Sequence, residues 1–170
     1  FRDAYFLKSR IFLRQEKIKE ASELLEKNIS MFPEDSDMLF LLGSLYFELG
    51  NLPKAALYHN SLLDSIEKRE GESRYKTVTL KSLGEIFNRN GQFRKALFYF
   101  QNYLNYENGD IDIRYKVAQI LNTLGDFGGS KRELLTILKT NPNNLHVELL
   151  LGEMFFIESR VNAFLYFEKL

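Results

Sequence analysis

In the stretch "DMLFLLGSLYFELG", Asp37 to Gly50, the apolar residues Leu39, Leu42, Leu45, Tyr46 and Leu49 follow steps of three, three, one and three. That spacing returns to one face of a 3.6-residue helix, and Gly50 stands where a helix end favours a residue free to turn left-handed. Asn51 is placed to cap a second helix. Pro53 falls in the first turn of that helix, where a missing N–H loses no bond. The three prolines, Pro33, Pro53 and Pro142, each sit beside a turn signal: "FPEDSD", "GNLPK" and "NPNN". Between them the apolar periodicity stays helical and no stretch alternates as a strand would. The pattern predicts an all-α chain of about ten helices joined by short turns.

The helical sentence repeats. Setting Gly43, Gly84, Ala118 and Gly152 in register aligns "LFLLGSLY", "LKSLGEIF", "RYKVAQIL" and "ELLLGEMF" at spacings of 41, 34 and 34 residues. The second half of each unit agrees, with a small residue followed four positions later by a larger one. The pairs are Ala55 and His59, Ala96 and Phe100, Ser130 and Leu134, Ala163 and Phe167. Ala21, Leu25 and Pro33 mark an earlier copy behind a weaker first helix, "AYFLKSRIFLRQEK". Two antiparallel helices that pack closely need small residues where a ridge enters a groove, which is the role expected of Gly43, Gly84, Ala55 and Ala96.

In these residues the chain resembles the tetratricopeptide repeat family, whose pattern is a large residue, Leu-Gly, Tyr, later Ala and an aromatic, and a closing Pro. The resemblance covers nearly the whole chain as one array, 1–170, with repeats at about 1–35, 36–76, 77–110, 111–144 and a truncated fifth at 145–170. No Trp occupies the first signature position, Ala118 and Ser130 replace the usual Gly and Ala, and the fifth repeat is one residue short around "IESRVN". The second repeat carries a seven-residue insertion near 67–76, about two helical turns. We expect it to lengthen the end of one helix and the start of the next by about a turn each, leaving "EGES" as a projecting turn. The resemblance implies a right-handed superhelical solenoid of antiparallel helix pairs with a concave surface lined by the first helices.

Composition narrows the function classes. Lys and Arg together number 23, as do Asp and Glu, so the net charge is zero and the electrostatic drive for nucleic acid or an anionic membrane is missing. An apolar content of 45% supports a real core, yet the longest apolar runs fall far short of a membrane span. The absence of cysteine removes disulfides, thiolate metal sites and thiol nucleophiles. The chain starts at Phe1 without Met and stops within a helical pattern at "FLYFEKL", as a piece of a longer protein would. Its compartment is unreadable.

Candidate chemistry is sparse. His59 and His146 fall on different helices two to three repeats apart, too far for a shared metal or an acid–base pair, and each reads as a packing or surface residue. "GDFGGSKRE", Gly125 to Glu133, does not fit a phosphate loop and reads as Asp126 capping a helix. "NIS" at Asn28 to Ser30 is a weak glycosylation triplet inside a helix. The charged "EKREGESRYK" is read as a solvated turn, and the rings of "FRKALFYFQNYLNY" as packing between repeats. No catalytic residue, metal or cofactor is expected.

The family resemblance implies a concave surface that binds an extended peptide or a helix of a partner protein. By register the inward positions are Phe6, Arg10, Phe40, Ser44, Phe47, Lys81, Glu85, Asn88, Tyr115, Gln119 and Asn122, with Glu153 and Phe156 less firmly placed. The chaperone-tail clamp known in some family members needs Lys and Asn where this chain has Phe6 and Arg10, Asn where it has Leu41, and Lys and Arg where it has Val78 and Ser82. That ligand is rejected. The reading is a non-catalytic interaction module in which Phe40 and Phe47 anchor apolar side chains while Lys81, Asn88, Gln119 and Asn122 bond the ligand backbone. Two alternatives stand beside it: the helical scaffold of a larger enzyme, and a solenoid that self-associates through its open, aromatic-rich ends.

Overall fold

The computed structural model describes the backbone of residues 2–68 and 74–167, and side chains as far as residue 160. Among the described residues there are nine α-helices and no strand: α1 (Arg2–Arg14), α2 (Ile18–Asn28), α3 (Ser36–Glu48), α4 (Leu52–Lys68), α5 (Lys76–Arg89), α6 (Phe93–Leu104), α7 (Ile111–Thr123), α8 (Phe127–Thr140) and α9 (Leu145–Phe167). A single 3₁₀ turn, Ile29–Met31, follows α2. The fold is an all-helical repeat fold, as the periodicity predicts. The helices gather into two compact units, Phe1–Tyr106 and Glu107–Leu170. In the first, α1 pairs with α2, α3 with α4 and α5 with α6; in the second, α7 pairs with α8, and α9 packs on α8.

Each hairpin is turned by the same device. Gly50, Gly91 and Gly125 take φ of 73°, 71° and 84°, a left-handed conformation that costs glycine nothing. The N–H after each glycine closes the helix end on the carbonyl five residues back: Asn51 on Tyr46 at 2.8 Å, Gln92 on Phe87 at 2.8 Å and Asp126 on Leu121 at 2.9 Å. Asn51 then accepts from the Lys54 N–H at 3.2 Å and Asp126 from the Gly129 N–H at 2.8 Å, capping α4 and α8 as expected. Asp35 and Asp110 cap α3 and α7 in the same way.

The first hairpin follows this register with different residues. Glu16 stands at the turn position with φ of 60°, and the Lys17 N–H reaches the Phe12 carbonyl at 2.9 Å. A side chain there is strained by about 1–2 kcal/mol. Glu16→Gly is therefore expected to raise stability by about 1 kcal/mol, read as a higher urea midpoint at unchanged slope.

Hairpin packing explains the glycine register. A Cβ built on Gly43 would meet the His59 ring at 2.7 Å, and one on Gly84 would meet the Phe100 ring at 2.4 Å. Each ring belongs to the residue sixteen positions on, across the hairpin. The same spacing joins Ser9 to Leu25 and Ala118 to Leu134, all four fully buried. The small residue thus admits one large side chain from the antiparallel partner. In the first unit the core is centred on Leu25, Met38, Leu42, Ala55 and Leu62, and in the second on Ala118, Leu134, Ile137 and Val147.

Two expectations change. The insertion lengthens α4, which has 17 residues against 12 in α6, whereas α5 begins only one residue earlier, relative to Gly84, than α3 does relative to Gly43. "EGES" lies outside the described residues. Among the described residues the expected ten or so helices number nine, because α9 runs unbroken for 23 residues through "IESRVN". Register places Ser159 where Gly50, Gly91 and Gly125 turn the other hairpins, and no Gly or Pro follows it up to Phe167. With one residue too few for the hairpin register and no glycine or proline to break it, the helix continues.

Candidate interaction surface

On α3 the apolar residues Leu39, Leu42, Leu45 and Tyr46 are buried, while Phe40, Ser44 and Phe47 form a half-buried stripe on another face. Phe40 meets His59 edge-on with ring centres 5.8 Å apart and lies tilted over Tyr75 at 5.0 Å. The Ser44 hydroxyl donates to the Phe40 carbonyl at 2.9 Å. The Arg89 guanidinium, at the end of α5, stands 5.5 Å from the Phe47 ring centre. Lys81, Glu85 and Asn88 occupy half-buried positions along α5, and the Lys81 ammonium lies 5.3 Å from the Tyr103 ring. Phe6 packs beneath the Arg2 guanidinium at 4.8 Å and shares a cleft of about 430 Å³ with Arg10, Leu7 and Asp37.

In the second unit Tyr115 is half-buried against the core and Gln119 is exposed. Asn122 lines a mainly apolar groove of about 400 Å³ with Phe127, Leu150, Glu153, Met154 and Ile157. Phe156 lies in a separate groove with Leu145, Leu149 and Gly152. The structure thus brings Phe6 to Arg10, Phe40 to Ser44 and Asn122 to Glu153, and none of the eleven expected residues is fully buried.

Two polar clusters carry no signal in the sequence, because their partners lie 20 to 38 residues apart. Glu26 of α2 accepts from the Tyr46 hydroxyl at 2.6 Å, the Tyr58 hydroxyl at 2.8 Å and the Lys54 ammonium at 2.7 Å. Burial pushes this carboxyl up, but the bonds from Lys54, Tyr46 and Tyr58 outweigh it and hold the group below the usual carboxylate range. Burial, with Glu26 as acceptor, raises both tyrosines. The cluster ties the first hairpin to the second. Glu26→Ala strands two buried hydroxyls and is expected to cost about 1–3 kcal/mol, whereas Lys54→Ala, losing an ammonium at the solvent edge of the cluster, should cost less; paired thermal melts measure the difference.

The second cluster joins Arg2 to Asp35 and Asp37, with Tyr75 and Arg74 also donating to Asp37. It lines a cleft of about 660 Å³ together with Phe32 and Pro33. The hydrogen bond from Tyr75 comes first among the causes that hold the Asp37 carboxyl low, followed by those from Arg2 and Arg74. These charges satisfy one another.

His59 is 1% exposed and His146 is exposed on α9. No group of three His, Asp or Glu side chains among the described residues is set to hold a metal. No helix among them is long and apolar enough to cross a membrane.

Comparison with known proteins agrees with this architecture. Residues 6–69 match the tetratricopeptide repeat family model. Tetratricopeptide repeat protein 16 of Homo sapiens is 23% identical over 142 residues; the match covers 84% of this chain and 16% of that protein. The chain therefore spans about a sixth of that relative's length. MamA from Desulfovibrio magneticus RS-1 superposes with a TM-score of 0.75 at 16% identity, over 98% of this chain and 91% of its own. YrrB, a tetratricopeptide protein with an unusual peptide-binding site, gives 0.73 at 14% identity, over 91% and 76%. Cut9 with Hcn1, from the APC/C hetero-tetramer, gives 0.66 at 19% identity, over 88% and 29%. Residues 6–69 thus match the tetratricopeptide repeat directly, and the later hairpins are built on the same crossing and turn register.

Proposed function

We propose that the chain is a non-catalytic interaction module that holds an extended peptide or a helix of a partner protein on the first-helix face of its hairpins. Tetratricopeptide arrays serve in general as protein-interaction scaffolds, and a concave surface is what stacked hairpins provide. The observation that carries the reading is the Phe40–Ser44–Phe47 stripe. It keeps two aromatic rings partly open to solvent on a helix whose Met38, Leu39, Leu42, Leu45 and Tyr46 are buried. Such rings anchor a ligand's apolar side chains at low entropic cost. Asn88 of α5 and, in the second unit, Gln119 and Asn122 supply amides suited to a ligand backbone. In the first unit Phe6, Arg10, Lys81 and Glu85 extend the surface, and in the second Tyr115 does. YrrB's peptide-binding site is a precedent within the same fold.

Selection of a displayed peptide library on the purified chain tests this reading. Phe47→Ala is the preferred variant, since Phe40 also packs on His59 and Tyr75. Selected peptides should bind Phe47→Ala at least tenfold more weakly while its melting midpoint stays within a few degrees. Undiminished binding by every selected peptide would remove Phe47 from the surface.

A further inference from the structure

In the first unit, positions 6, 40 and 81 are equivalent by register, as are 10, 44 and 85, then 13, 47 and 88, and then 14, 48 and 89. They form rows across the first helices, and α3 and α5 touch within them. The charged residues in those rows are Arg10, Arg14, Lys81 and Arg89 against Glu48 and Glu85, a cationic excess in a chain whose net charge is zero.

One of these cations is already held in place. Arg89, at the last turn of α5, reaches across to α3, where its guanidinium stands over the Phe47 ring at 5.5 Å from the centre. A guanidinium held over a ring keeps the N–H fork at its edge available for hydrogen bonds. Among the described residues nothing takes that fork: the Arg89 side chain makes no ion pair or hydrogen bond, and Glu48, exposed at the equivalent position of α3, makes none either.

The same unit completes this arrangement twice with its own acids. The Arg2 guanidinium lies over Phe6 at 4.8 Å and donates to Asp35 at 3.1 Å and Asp37 at 2.6 Å. Arg74 lies over Tyr75 at 4.7 Å and donates to Asp37 at 2.6 Å. At Arg89 the ring and the guanidinium are present and the carboxylate is missing.

Resting on the reading of this face as the peptide surface, we propose that the ligand supplies that carboxylate. An acidic side chain or a free C-terminus of the ligand pairs with the Arg89 fork while the neighbouring apolar side chain lies beside Phe47. A forked guanidinium–carboxylate pair fixes direction as well as adding affinity, so Arg89 sets which peptides the Phe47 anchor accepts.

Peptides selected on the wild-type chain should therefore carry an acid, or end, next to an apolar residue. Replacing that acid by its amide should weaken binding to the wild-type chain about tenfold and leave binding to Arg89→Gln almost unchanged, because both changes remove one contact. Amidating the C-terminus is the parallel arm, and the arm that weakens binding identifies the source of the carboxylate. Arg89→Glu should bind the acidic peptides more weakly still and favour versions with lysine in place of the acid. Arg94→Gln, which removes an exposed cation from α6, should bind them as the wild type does, with circular dichroism confirming that every variant is folded. Acid and amide peptides that bind the wild-type chain equally, or an acid-to-amide loss that is as large on Arg89→Gln, would overturn the contact, even where Phe47→Ala weakens binding and the surface itself stands. Undiminished binding to Phe47→Ala would remove the surface and this contact with it.

Discussion

Gly84→Leu should lower the stability of the 1–106 unit by about 3 kcal/mol, the upper end of the usual cost of overpacking. Glycine within a helix normally costs about 1 kcal/mol against alanine, so a larger residue in α5 would stabilise an isolated helix. The crossing reverses the sign. A Cβ at Gly84 would stand 2.4 Å from the Phe100 ring, and that ring is fully buried with no space to retreat. Even Gly84→Ala should therefore destabilise, and the cure lies in the chain itself: Ala118 opposite Leu134 is the same junction built with a larger first residue and a smaller second one. Gly84→Ala combined with Phe100→Leu should recover part of the loss, with a coupling of about 1–2 kcal/mol in a double-mutant cycle. Strict additivity would mean that the two positions do not meet.

The second large effect is a pH dependence centred on His59. Burial pushes its imidazole pKa down from 6.5 to about 4. Its Nδ1 has no hydrogen-bond partner among the described residues. The unfolded chain binds the proton more tightly than the folded one, so this contribution to stability is complete above pH 6.5 and is lost as the pH falls toward 4. At roughly 1.4 kcal/mol for each pH unit between the two values, about 2 kcal/mol is gone by pH 5 and about 3 by pH 4. The depressed carboxylates Glu26, Asp35 and Asp37 act at lower pH, which leaves the interval from 6.5 to 5 to the histidine. His59→Phe repeats the ring that Phe100 places over Gly84. It should keep its stability at pH 7 and remove the loss at pH 5, as read from denaturant midpoints at the two pH values. A wild-type protein equally stable at pH 7 and 5 would show that the imidazole is hydrated.

What the sequence reveals here depends on the range of the interaction. The hairpin register is legible, because a glycine, a turn and a small–large pair recur within 34 residues and each has a local steric reason. Turn chemistry is legible at Gly50, Gly91 and Gly125 and silent at Glu16, where a residue of ordinary type holds the left-handed conformation. The structural weight of His59 is hidden in the sequence: its burial is decided by Gly43 across the hairpin, and a lone histidine gives no sign of that. Glu26 with Tyr46, Tyr58 and Lys54 is invisible because a carboxylate beside an apolar residue looks solvent-facing until the next hairpin closes over it. The unbroken α9 is half visible in the missing residue at "IESRVN". Among the surface residues, register identifies positions that remain solvent-accessible, but Phe40 is more deeply engaged with His59 and Tyr75 than an anchor on an open face would be.

The most direct test of the interaction surface is a nuclear magnetic resonance titration of the labelled chain with a selected peptide. Binding on the first-helix face predicts that the largest shift changes in the first unit fall at Phe40, Ser44, Phe47, Lys81, Glu85 and Asn88, with α4 and α6 little affected. Changes concentrated instead on the exposed positions of α4 and α6, such as Leu57 and Phe98, would place the ligand on the opposite face and contradict the account.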